Sequence, residues 1–219
     1  MVYVTALVMG PYVGAFAGGV GSMLSDALLA PQFAIGTLVI KGAEGFIVGY
    51  LGQRLPQGQA ERHQRMIGVI LGILVAVTVV VAGEISFPDV ALLVGQQGFT
   101  PVATSPDVAL SFTLWLIIGA IAFAATLFAS SRIGPRFAWI ALAIIIGGAE
   151  MVVGYFLYET QVLQLGLASP SAEIPVNALQ AVAGLLVAPP VAARVQGAFR
   201  KQPGASRRAG EGGALGGST

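Results

Sequence analysis

The 219-residue chain has no cysteine and a single histidine, His63. The first absence excludes disulfides, thiolate metal sites and a cysteine nucleophile. The second excludes a multi-histidine metal centre and speaks against a Ser-His-Asp triad. Charge is scarce as well. Charged residues make up 10% of the chain, where a soluble domain carries roughly 25%. The formal net charge is +1, so no whole-molecule field would draw nucleic acid. No G-x-x-x-x-G-K-S/T pattern occurs, and the chain therefore offers no recognisable ATP site of its own. The first residues are apolar with no basic stretch, unlike a cleaved signal peptide. Nothing among these residue types calls for a metal or a cofactor.

What the chain has in abundance is apolar surface, with 56% hydrophobic residues. A helix needs about 20 apolar residues to cross roughly 30 Å of hydrocarbon. Stretches near 12–29, 35–53, 66–84, 110–131, 137–158 and 174–193 meet that need. They predict an all-α fold: a polytopic transmembrane helix bundle over residues 1–200, with six full spans and a partial N-terminal one. Residues 201–219, rich in Gly, Ser and Arg, read as a disordered cytoplasmic tail. Met1–Met9 is apolar and is broken off by Gly10-Pro11. It reads as the end of an earlier span, so the chain is expected to lack its beginning.

Ten of the eleven Lys and Arg residues fall in three places. Arg54, Arg62 and Arg65 follow the second full span, and Arg132 and Arg136 lie between the fourth and fifth. Arg194, Arg200, Lys201, Arg207 and Arg208 follow the last. The other connections hold Asp26, Glu84, Asp89, Asp107, Glu159 and Glu173. Basic loops are retained on the cytoplasmic side, so both termini are expected to be cytoplasmic in a cell-membrane protein. The long connection 84–111 lies outside, as a lid or as a variable loop.

Polar groups within the spans are costly in lipid, and are therefore the candidate functional residues. Thr37, Lys41 and Glu44 share one helix face at spacings of four and three. Glu150 sits among Gly147, Gly148 and Gly154. Tyr155, Tyr158 and Glu159 close the outer end of the same span. Asn177 and Gln180 share a face after Pro175. With the sidedness above, these residues converge on the outer half of the membrane. They suit an outward-facing pocket for a small polar aromatic or heterocyclic ligand. The same residues also admit structural roles. Lys41 would pair with Glu44 or Glu150 to fix register, Asn177 and Gln180 would join helices, and the tyrosines would form an interfacial belt. A further pattern, Gly10, Gly14, Gly18, Gly21 and Ser25, would let helices approach closely, within the bundle or between subunits.

At these residues the chain resembles the membrane-embedded substrate-binding (S) components of energy-coupling-factor (ECF) vitamin transporters, closest to the riboflavin-type branch. The resemblance is carried by GPYVGAFAGGVGSMLSDALL (10–29), APQFAIGTLVIKGAEGFIVGYLG (30–52), GYFLYE (154–159) and EIPVNALQAVAGLLVAPP (173–190). The family's usual first helix is not visible, and Met1–Met9 matches the end of its second. The resemblance implies capture of a vitamin or vitamin precursor from outside. It also implies a T component and two ATPase subunits as partners, with Asn177 as a ligand contact in the last-helix motif. Two rival readings stand beside it. One is a solitary ion- or proton-coupled transporter using Lys41, Glu44 and Glu150 as a relay, although no inverted repeat is visible. The other, an intramembrane enzyme using Glu44 and Glu150, lacks a nucleophile, and no enzyme is expected.

Overall fold

The computed structural model describes residues 2–54, 64–86, 90–95, 98–103 and 108–200. Seven helices account for most of them: α1 (Val2–Met9), α2 (Pro11–Leu29), α3 (Ala34–Gln53), α4 (Gln64–Ser86), α5 (Val108–Ile133), α6 (Pro135–Leu157) and α7 (Ala168–Arg200). Six helical stretches are long and apolar enough to cross a membrane, and they match the six expected spans to within a few residues at most ends. The protein is a multi-pass helical membrane bundle. Its exterior supports this: Tyr12, Phe16, Leu24 and Leu28, spaced along one face of α2, are all exposed. That inversion suits a chain solvated by lipid.

Two Gly-Pro pairs make the sharp reversals. Gly10 has φ +93° and Gly134 has φ +76°. These left-handed conformations cost glycine nothing. The proline that follows each occupies the first turn of α2 or α6, where its missing N–H leaves no bond unmade. The apolar start is thus a helix of its own, turned back at Gly10, as the sequence suggested.

Helix α7 departs from expectation. It begins at Ala168, not 174, and runs through Pro175, Pro189 and Pro190. Its 33 residues span about 50 Å at 1.5 Å per residue. Prolines in membrane helices are tolerated where neighbouring helices or local adjustments satisfy the freed carbonyls. Four acidic residues assigned to connections also lie in helical segments. Asp26 is in α2, Glu84 in α4, Glu173 in α7, and Glu159 in a single wide π-turn, Tyr158–Val162, that extends α6. Within the connection 84–111, Val90–Gly95 pairs antiparallel with Gly98–Ala103 as a short hairpin. Asp89, Asp107, His63 and the tail 201–219 lie outside the described residues.

The helices form two groups. Helix α3 packs against α1, α2 and α6, and α6 also against α7. Helices α4 and α5 pack chiefly on each other, with α4 also touching α7. The α2–α3 contact is close. A Cβ on Gly14 would come within 2.8 Å of the Gly45 carbonyl oxygen, and one on Gly19 within 2.6 Å of the Leu38 carbonyl oxygen. The small-residue stripe therefore works inside the bundle at Gly14 and Gly18. It does not extend to Gly21, which faces open space. Gly19, outside the expected stripe, takes part instead.

Candidate functional site

Helices α3 and α6 run antiparallel, and their contacts form a ladder that fixes which polar groups meet. Tyr158 of the π-turn donates its hydroxyl to the Gln32 carbonyl at 2.9 Å. Its ring covers Gly36, where a Cβ would lie 2.6 Å away. The Thr37 and Tyr155 hydroxyls are 3.0 Å apart. One turn deeper, the Lys41 ammonium meets Met151, and then Gly147 lets α6 approach Glu44 and Val48. At the far end the Trp139 indole donates to the Leu51 carbonyl at 2.7 Å.

The deep polar cluster has Glu44 at its centre. One carboxylate oxygen accepts from the Tyr3 hydroxyl at 2.5 Å, and the other from the Lys41 ammonium at 2.9 Å. Lys41 and Glu44 are both almost wholly buried. A buried ion pair needs such extra hydrogen bonds to offset the loss of water. Of the two pairings open to Lys41, the structure shows the one with Glu44. Glu150 stands within electrostatic reach of both, and its Oε2 is buried with no hydrogen-bond partner among the described residues.

Nearer the α3 start, Thr37 donates to Asp26 at 2.5 Å, so Asp26, Thr37 and Tyr155 form a chain across α2, α3 and α6. Glu159 is fully buried, and neither carboxyl oxygen has a hydrogen-bond partner among the described residues. Its carboxyl is influenced by Glu173 of α7.

A cavity of about 300 Å³ opens beside the deep cluster. Tyr3, Lys41, Glu44 and Gln180 supply its polar wall, and Val2, Val4, Ala183 and Val187 belong to its apolar wall. A few convergent polar groups in an otherwise apolar concavity are what a small-molecule site needs, and this volume is at the lower end for such sites. Gly184 contributes by its lack of a side chain, since a Cβ there would collide with the Tyr3 ring. No group of His, Cys, Asp or Glu among the described residues is arranged to hold a metal ion.

Of the nine candidates from sequence, Lys41, Glu44 and Gln180 line this cavity, and Glu150 is within electrostatic reach of the first two. Thr37 and Tyr155 belong to the adjoining chain. Tyr158 is occupied with backbone, and Glu159 lies apart from the cavity wall. Asn177 is half-buried, one turn from Gln180, and does not line the cavity. Sequence reasoning missed Tyr3, Asp26 and Met151. A tyrosine inside an apolar run, and an acid three residues before a helix end, were the available signals for the first two. Nothing marked Met151.

Residues 1–109 match the family model described as "ECF-type riboflavin transporter, S component". That match contains Tyr3, Asp26, Thr37, Lys41 and Glu44, while Glu150, Tyr155 and Gln180 lie beyond it. A curated protein of Pyrococcus woesei, described as an uncharacterized protein in the gap 3' region, is 44% identical over 77 residues. Those residues are 35% of this chain and 49% of that protein, so the match spans about half the relative's length. No solved structure matches.

Proposed function

Through residues 1–109 the chain belongs to the family of ECF-type riboflavin transporter S components, and from that premise we propose that its cavity captures a vitamin or vitamin precursor. The family is one of transporter subunits, not of enzymes. Capture takes place from the side opposite the basic connections, without ATP. A T component and two ATPase subunits then supply the energy for uptake. The observation that carries this reading is the cavity itself, where a phenol, an ammonium, a carboxylate and an amide converge on one concavity. Lys41 stands seven residues after Ala34, about 10 Å along the helix axis, and therefore nearer the end of α3 remote from Arg54.

Mass spectrometry of small molecules extracted from the purified chain, followed by binding calorimetry without nucleotide, tests the proposal. The expected result is a vitamin-like heterocycle bound by the chain alone, with uptake into liposomes only when the partner subunits and ATP are present. Accumulation by this chain alone, driven by an ion gradient, would instead favour a solitary transporter in which Glu150, whose buried Oε2 lacks a hydrogen-bond partner among the described residues, relays protons. Sidedness has its own test, since the chain has no native cysteine. Leu167→Cys, at an exposed position, should react with an impermeant thiol reagent in intact cells. Arg194→Cys should be protected.

A further inference from the structure

We propose that a second cavity, at the basic end of the bundle, binds the phosphate of an anionic phospholipid headgroup. It encloses about 270 Å³ between the ends of α1, α5 and α7 and the start of α6. Arg132 and Arg136 line it, and among the described residues no carboxylate does. The other polar side chain in its wall, Gln196, is already committed: its amide donates to the Leu7 carbonyl at 2.9 Å. Arg132 rests over the Phe128 ring at 4.9 Å, a contact that holds the guanidinium while leaving its N–H groups free to donate in the ring plane. The Arg136 Nε is buried without a hydrogen-bond partner among the described residues. A buried donor left so is costly unless an acceptor from outside the chain completes it. Two guanidinium groups facing one concavity match a phosphate, whose oxygens accept two N–H bonds from each planar fork.

Inorganic phosphate has the same oxygens, and the surroundings favour the lipid. The cavity lies at the ends of membrane-spanning helices, where headgroups are found. Trp139, bonded to the Leu51 carbonyl, marks the same level, as indole rings do at membrane interfaces. The remaining wall includes Leu7, Ile133 and Ile140, which suits the glycerol and first methylenes of a lipid better than a fully hydrated ion. The exposed Phe128 side chain continues that apolar surface outward along α5. Among the described residues this cavity shares no lining side chain with the Lys41 cavity, which begins within a turn of it along α1 and α7, and the proposal is independent of the function assigned there.

The test uses the full chain in nanodiscs of equal parts phosphatidylglycerol and phosphatidylcholine, with native mass spectrometry of the lipids retained on release. Wild-type protein should retain phosphatidylglycerol preferentially. Arg132→Gln and Arg136→Gln should each lower that preference by about fivefold, the effect of one arginine near an anionic headgroup. Arg194→Gln, at the same end but outside the cavity, should leave it unchanged. Thermal unfolding identifies any variant that no longer folds, and Arg132→Gln decides alone if Arg136→Gln is such a variant. Equal retention of both lipids by the wild type, or an unchanged preference in the folded cavity variants, overturns the proposal. Titration with inorganic phosphate separates the two sources. Arginine-dependent phosphate binding without lipid preference would assign the cavity to a free anion.

Discussion

The α2–α3 and α4–α5 pairs both span the membrane, and they are built on opposite principles. Between α2 and α3 the glycines face backbone: Gly14 meets the Gly45 carbonyl, Gly18 that of Lys41, and Gly19 that of Leu38. Between α4 and α5 they face mainly side chains, with Gly72 under the Phe123 ring, Gly83 under Trp115 and Gly119 against Val80. The first pair approaches backbone to backbone, and the neighbouring face of α3 carries Thr37, Lys41 and Glu44 toward α6, with Thr37 also bonded to Asp26 of α2. The second fills its interface with apolar bulk. The buried polar groups it carries include the hydroxyls of Thr126, Ser130 and Ser86, and Thr126 donates to the Ala122 carbonyl of its own helix. In lipid, backbone proximity and polar contacts drive association where the hydrophobic effect cannot. The difference therefore separates a pair that positions the buried polar cluster from a pair joined mainly by apolar side chains.

The contrast can be broken most severely at Lys41. Lys41→Met leaves Glu44 buried with only Tyr3 as a partner, and removal of one member of a buried pair costs about 3–5 kcal/mol. Adding Glu44→Gln should recover part of that loss. Unfolding in detergent measures both, and additive losses would show that the pair is not coupled. A smaller effect is expected at the α2–α3 contact. Gly45→Ala places a Cβ against the Gly14 backbone, and overpacking of this kind costs about 1–3 kcal/mol. Gly72→Ala meets the edge of the Phe123 ring at 2.8 Å, a side chain that can move, and should cost less. Gly21→Ala meets nothing and serves as the reference; a loss there as large as at Gly45 would sink the account of the stripe. The smallest effect belongs to the α4–α5 pair. Thr126→Val should change stability by less than the roughly 0.6 kcal/mol of an average membrane hydrogen bond, because its bond lies within its own helix. It should leave ligand affinity untouched.

Much of this contrast was legible in the sequence, for identifiable reasons. Apolar run length alone located all six spans, since hydrocarbon thickness imposes it. The spacing of Thr37, Lys41 and Glu44 placed them on one face, because the helix repeat is fixed. What could not be read was which helix that face would meet at which depth. The α3–α6 register depends on Gly147 and Gly154 admitting neighbours, and it sets Tyr155 opposite Thr37. Tyr3 remained hidden for a related reason. It lies on an eight-residue helix whose position follows from packing against α3 and α7, a long-range contact with no local signature. Asn177, marked as a ligand contact by its motif, lies one turn from Gln180, and the described cavity wall on α7 includes Gln180, Ala183, Gly184, Val187 and Ala188.

The claim that the Lys41 cavity is the ligand site is tested most directly by filling it. Ala183 lines the cavity from α7, lies at an exposed position, and takes no part in the polar cluster. Ala183→Trp should occupy much of the space while leaving Tyr3, Lys41 and Glu44 in place. Calorimetry with the molecule extracted from wild-type protein is the measurement. The account predicts a variant that unfolds near the wild-type temperature and has lost affinity by at least about a hundredfold, roughly 2.7 kcal/mol. A folded Ala183→Trp protein that binds this molecule as tightly as the wild type would contradict it and place the site elsewhere in the bundle.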